Sequence, residues 1–326
     1  MKKVFVTRKI AENGIALLRE KGYQVDVSDR NRPLTEKELI KALSRTQYDA
    51  VVSLLTDTIG PKVFDYARTV KVFANYAIGY NNIDVAEAKK RQVYVSNAPS
   101  GGFERVAEHT WALILALACR VVEGNTYVHA GKYTGWDPML LNGPKISGST
   151  IGLVGLGNIG AEVARRAKAF NMKIVYYDIK RNEQIEKETG AVFSSGVDDV
   201  LKVADIVSIH VPLLESTHHL LDARRLSLMK PTACLINTSR GPVVDEMALA
   251  DTLKRGALAG AGLDVFEFEP KITKDLLKLS NVILTPHIAS ATREAREEMS
   301  RVVAMNVIDC LEGGVPRNNL WGTLPA

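Results

Sequence analysis

The chain has 326 residues with a net charge of +5, of which 46% are hydrophobic and 24% charged. That length exceeds one ordinary core, so two domains are expected, and the composition is that of a globular protein and excludes extended disorder. The small positive excess is mixed with acids, as in residues 293–298, and forms no stripe of the kind that follows a nucleic-acid backbone, so no nucleic-acid partner is expected.

The chain enters a strand-like run almost at once, and strand patterns follow at residues 3–7, 23–27, 50–54, 72–74 and 93–96, separated by helical patterns. This reads as one compact α/β unit. Asn97-Ala98-Pro99 then breaks the pattern, and residues 99–102, PSGG, are the best linker signal in the chain. A long helix is expected over residues 107–120. The longest apolar run, residues 111–119, falls well short of the ~20 residues that a membrane span needs, so neither export nor an anchor is expected and the location reads as cytoplasmic. Cys119, Cys234 and Cys310 sit apart in apolar stretches without metal or redox spacing and read as reduced core residues. From Thr150 a second α/β unit runs through strands near residues 173, 204, 233, 260 and 282, and a helix over residues 290–311 follows it. Alternating strands and helices throughout imply parallel sheets covered on both faces.

The most informative segment is residues 150–178. A buried strand leads into Gly155-x-Gly157-x-x-Gly160, then an amphipathic helix, then a second strand closing on Asp178. Glycines allow the tight turn and close approach of a pyrophosphate, the helix N-terminus offers free N–H groups and a positive dipole end, and Asp178 can accept both ribose hydroxyls. The context of strand, helix and acid makes this a dinucleotide site. An acid at position 178 favours NAD over NADP, whose 2′-phosphate it would repel, although Lys180 and Arg181 follow immediately and soften that rejection.

Hydride transfer to a carbonyl needs a cation to orient the substrate, a proton donor, and a group that sets the donor's pKa. Arg240 lies beyond the strand near residue 235, where loops at the carboxyl ends of parallel strands line the ligand crevice, and its guanidinium can grip a 2-oxo acid bidentately. The plain alternative is a surface arginine beside the helix that starts near Asp245. Of six histidines, His109, His129, His218 and His219 read as structural. His287, after a strand stopped by Pro286 and among the small residues Ala289, Ser290 and Ala291, is preferred to His210 as proton donor. Glu267 and Glu269 both offer a carboxylate that would keep an imidazole protonated.

The run VGLGNIG, INTSRGPVVDE, AGLDVFEFEP and LTPHIASA, in that order, resembles the D-isomer-specific 2-hydroxyacid dehydrogenase family over essentially the whole chain. LLTDTIG and NYAIGYNNID look most like its glyoxylate, hydroxypyruvate and 2-ketogluconate reductase branch. The resemblance implies two Rossmann-like domains with doubly wound parallel sheets and a cleft between them. The substrate domain would be discontinuous, residues 1–98 with 289–326, around an NAD-binding domain of residues 99–288. It implies a catalytic set in which Arg240 binds the substrate carboxylate and carbonyl, His287 donates the proton and Glu269 orients and charges it. Glu267 is then the decoy. The amides of Ala77, Ile78 and Gly79 would hold the substrate carboxylate. On the cofactor side the resemblance places Asn158 and Ile159 at the pyrophosphate and Asp178 at the ribose. Val211 and Pro212 fall near the adenine, Thr238 near the nicotinamide half and Asp264 at the carboxamide. Ala289, where the family usually has glycine, joins the cofactor-packing positions, and Asn81 replaces a usual aspartate. Ile78 stands where the phosphite-oxidising branch has lysine. No metal is expected. A homodimer through the cofactor domains is implied, with Trp111 and residues 133–141 as candidate contacts, Trp136 reading equally as core. The expected activity is NADH-dependent reduction of a small 2-oxo acid; the alternative is a dinucleotide-sensing protein like the corepressors that share this fold.

Overall fold

The computed structural model describes residues 1–99 and 102–322. The chain divides into two compact units, Met1–Gly102 with Ala291–Ala326, and Phe103–Ser290. Ala289 and Ser290 thus sit with the second unit, and of the linker signal Ser100 and Gly101 lie outside the described residues.

The first unit is built on a five-stranded parallel sheet in the order β2-β1-β3-β4-β5. Its strands are β1 (Lys3–Val6), β2 (Gln24–Val27), β3 (Ala50–Leu54), β4 (Val72–Tyr76) and β5 (Tyr94–Ser96). The central strands are apolar on both sides because both faces are covered. One face packs against helix Glu12–Glu20 and the last helix, Arg293–Leu311, whose Met299, Val302, Val303, Val307 and Ile308 enter the same core as Val4, Val52 and Ala74. The other face holds Leu39, Val63, Phe64 and Phe73, each side chain contributing roughly 1.5–3 kcal/mol by its burial. Polar ties fix the returning helix: Tyr76 donates from its hydroxyl to the Arg296 carbonyl at 2.7 Å, Ser300 to that of Ala11 at 2.6 Å and Asn306 to that of Asn97 at 3.1 Å.

The second unit carries a seven-stranded parallel sheet, β12-β11-β10-β9-β6-β7-β8. Its strands are β6 (Thr150–Val154), β7 (Lys173–Tyr177), β8 (Val192–Phe193), β9 (Ile206–Ile209), β10 (Cys234–Asn237), β11 (Gly260–Leu263) and β12 (Val282–Leu284). The order reverses between β6 and β9, and the crevice beyond the carboxyl ends of such a pair is where open α/β sheets take ligands. The expected long helix ends at Ala118, and a separate helix, Val121–His129, follows because Arg120 adopts a left-handed conformation with φ 52°.

Three expectations are corrected here. Trp111 is a core residue, 4% exposed, stacked on Phe170 with ring centroids 4.6 Å apart and donating from Nε1 to the Val163 carbonyl. Trp136 is the exposed one, at 84%. Cys119 is exposed, whereas Cys310 is buried, and all three thiols are free. Among the described residues no helix is long and apolar enough to cross a membrane.

Candidate active site

The glycine-rich turn leaves β6 and meets the end of β9. Gly155 has φ 98°, and a Cβ there would lie 2.9 Å from the carbonyl carbon of His210, so a side chain is excluded by both backbone and space. Gly157 caps helix Asn158–Ala169, whose first turn presents the exposed Asn158 and the half-buried Ile159. Asp178 follows β7 and accepts from the Leu156 amide at 2.7 Å, which locks it against the turn. Arg181, its nearby cation, is held by Glu186 at 2.6 Å, and that contact keeps the Glu186 carboxyl below its ordinary range. Val211 and Pro212 lie just beyond β9. Free helix N–H groups, a side-chain-free approach and a ribose-level acid fit a nicotinamide dinucleotide.

Three catalytic candidates fall on the loops beyond β10, β11 and β12. Asn237, buried at the end of β10, clamps the first of these loops: its amide nitrogen donates to the Arg240 carbonyl at 2.9 Å and its oxygen accepts from the Ser239 amide at 3.0 Å. Burial pushes the Arg240 guanidinium below its ordinary range, against the opposing charge of Glu269. A Cβ on Gly241 would lie 1.9 Å from the Phe266 carbonyl carbon, so only glycine lets the Arg240 loop abut the loop that carries Glu269. Thr238 is buried, its hydroxyl 2.8 Å from that of Thr110.

Glu269 and His287 meet. The Nδ1 of His287 lies 3.0 Å from Oε2 of Glu269, whose Oε1 accepts from the Phe266 amide at 3.0 Å. Burial acts to raise the Glu269 pKa, but the bond and charge of His287, the Phe266 amide and Arg240 together hold it below the ordinary value. The carboxylate therefore faces Nδ1 as an anion, and Nε2 is the nitrogen that can meet a substrate. Glu267 points elsewhere, with Oε1 2.7 Å from His219 Nε2.

His210 lies at the end of β9 with Nε2 2.9 Å from the Ser208 hydroxyl, and burial pushes its pKa down to about 3. Burial thus favours the neutral imidazole at His210, the form without a proton to give at both ring nitrogens.

Asp264 has a use that the sequence did not announce. Fully buried after β11, it accepts at Oδ1 from the Thr285 hydroxyl (2.5 Å) and the Ile288 amide (2.9 Å), and at Oδ2 from the Ala289 amide (2.7 Å). Its carbonyl accepts from the His287 amide at 2.9 Å. These bonds grip the turn in which His287 takes a φ of 55°, a conformation that a histidine holds only when its surroundings enforce it. Burial would raise the Asp264 pKa, but His109, Thr285 and the two amides bring it below the ordinary value. His109, 3.0 Å from the Thr285 hydroxyl, thereby joins the support of the site. Glu246 is a second residue that sequence reasoning missed. Buried in the first turn of helix Glu246–Lys254, it accepts from the amides of Glu267 and Thr273, each at 2.7 Å, and so pins both ends of the loop bearing Glu269.

In the first unit, the turn after β4 is oriented by its carbonyls. Ala98 donates to the carbonyl of Ala77, Asn97 to that of Ile78 and Asn75 to that of Gly79, at 2.9, 2.7 and 3.0 Å. The Ala77 amide donates to the Asn75 carbonyl at 2.8 Å.

Residues 111–289 match the family model described as D-isomer specific 2-hydroxyacid dehydrogenase, NAD binding domain. A glyoxylate reductase of Korarchaeum cryptofilum is 48% identical over 318 residues, 97% of this chain and 95% of that protein. Among solved structures, D-lactate dehydrogenase from Aquifex aeolicus complexed with NAD and lactic acid is 30% identical, with a TM-score of 0.86 over 100% of both chains. An NADPH-dependent glyoxylate/hydroxypyruvate reductase from Sinorhizobium meliloti is 29% identical, with a TM-score of 0.87 over 98% of this chain and 96% of that one.

Proposed function

The chain belongs to the D-isomer specific 2-hydroxyacid dehydrogenase family, and from that premise we propose that it reduces glyoxylate, or a similarly small 2-oxo acid such as hydroxypyruvate, with NADH. The observation that carries the reading is the pair His287 Nδ1 to Glu269 Oε2, 3.0 Å, with the Arg240 guanidinium held down by burial and opposed by the Glu269 charge.

A bound nicotinamide dinucleotide supplies the hydride. Arg240 grips the substrate carboxylate and polarises the carbonyl. As C2 is reduced, the carbonyl oxygen takes the electron pair and then the proton from Nε2 of His287, giving the hydroxy acid. Glu269 fixes the tautomer and steadies the imidazolium before transfer. Asp264 and Glu246 hold the two loops in register.

NADH is favoured over NADPH because Asp178 would meet a 2′-phosphate and Arg181 is tied to Glu186. A homodimer is proposed through helix Val121–His129 and the segment after it, where Val121, Val122, Val128, Tyr133, Trp136 and Met139 are all exposed. The deciding experiment follows NADH and NADPH oxidation with glyoxylate, hydroxypyruvate and pyruvate. Turnover should be fastest with NADH and a two- or three-carbon 2-oxo acid. No turnover with any of them would end the proposal, and a higher kcat/KM with NADPH would reverse its cofactor half.

A further inference from the structure

We propose that His218, His219 and Glu267 form a binding site for one divalent transition-metal ion of the zinc class. Consecutive side chains on an extended chain point to opposite sides. Here His218 is extended, with φ −64° and ψ 127°, but His219 takes the left-handed φ of 47°. That turn brings both rings to one side, stacked with centroids 4.2 Å apart and planes at 27°. A left-handed histidine costs free energy, so the arrangement is enforced by its surroundings: the His219 amide donates to the Pro242 carbonyl at 2.8 Å and the Leu221 amide to that of Val243 at 3.0 Å.

The third donor is equally fixed. Glu267 Oε2 accepts from the Glu246 amide at 3.0 Å, which aims Oε1 at His219 Nε2, 2.7 Å away. One ligand atom from each of the three residues lies within 4.8 Å of the other two. Zinc sits ~2.0–2.2 Å from imidazole nitrogen and carboxylate oxygen, so its ligands lie roughly 3–4 Å apart, a spacing reached here by small side-chain rotations. Two imidazoles and one carboxylate are a donor set that such ions take, and water completes the sphere. His218 is exposed, which gives the ion a way in. On binding, His219 gives the metal its Nε2 lone pair as a neutral imidazole with its one proton on Nδ1, and the Nε2 to Glu267 contact is exchanged for two bonds to the ion.

The ion would not take part in hydride transfer. Glu267 is two residues before Glu269, and Pro242 two residues after Arg240. Loading would therefore staple together the loops that carry those two side chains, and its signature is stabilisation on metal binding.

The test uses tag-free, full-length protein with Zn²⁺ by calorimetry and Co²⁺ by visible absorption, comparing wild type, His218→Ala and His219→Gln. A single zinc ion should bind at micromolar concentration, raise the melting temperature and, as Co²⁺, give a d–d band. Either substitution should weaken binding by roughly tenfold or more. Equal binding by wild type and both variants, or no zinc bound by the wild type at micromolar concentration, would overturn the proposal. His218 is exposed, so its alanine variant should fold normally and keep the comparison informative.

Discussion

At the scale of single residues, two histidines follow strands of one sheet, β9 and β12, and serve opposite purposes. His287 presents Nε2 while a carboxylate holds Nδ1; replacing it with alanine should lower kcat by a factor on the order of 10²–10⁴, the usual worth of a positioned acid. Glu269→Gln removes the charge behind the ring, so kcat for ketone reduction should fall while NADH binding is spared. A kcat unchanged in that variant would disprove the pairing. His210 is buried neutral, with its pKa at about 3 against roughly 6.5 when unfolded. Between those values the unfolded chain binds the extra proton, so this residue's full contribution is present above about pH 6.5 and is lost as pH falls. The loss amounts to about 2 kcal/mol on going from pH 6.5 to 5. Urea midpoints at pH 7.5 and 5.0 should therefore diverge less in His210→Asn than in the wild type; equal divergence would rule this out. The sequence preferred His287 but kept His210 as a rival because both follow a strand, and burial, in which they differ, is a property of packing. It was likewise silent on Asp264 as the grip on the His287 turn, since Ile288 and Ala289 lie 24 and 25 residues further on.

At the scale of elements, most of the fold was readable because parallel strands buried on both faces leave apolar runs bounded by helical patterns. What escaped has a local cause. Strand β8 is two residues long, Val192–Phe193, too short for any pattern, and the break at Arg120 is a single left-handed residue inside an apolar stretch. The motif residues of the site were legible because each follows a strand; the clasp that Glu246 makes on the Glu269 loop was not, because its two amide partners are 21 and 27 residues away. Glu246→Ala would leave two amides without an acceptor, at about 1–3 kcal/mol for each that stays dry. We expect kcat with the 2-oxo acid to drop about tenfold while the dissociation constant of NADH is nearly unchanged, as befits loop misplacement of order 1 Å. A variant that melts earlier yet turns over at the wild-type rate would show that the clasp serves stability alone.

At the scale of the molecule, the exposed side chains of helix Val121–His129 and the segment after it predict self-association. Sedimentation at micromolar concentration should give about twice the 35.7 kDa chain mass, and Trp136→Glu should shift it toward monomer. A wild-type monomer, or a dimer indifferent to that charge, would contradict the assignment. The return of helix Arg293–Leu311 into the first sheet has a consequence in time. Of the two sheets, the one made earlier is the later to be completed, because Met299, Val302, Val303, Val307 and Ile308 belong to its core and are made more than two hundred residues after its last strand. The dinucleotide unit, wholly synthesised by Ser290, can close on itself while its predecessor still shows one bare apolar face. The nascent chain thus folds from the middle outward, and the interval before that helix emerges is when it has most need of a chaperone.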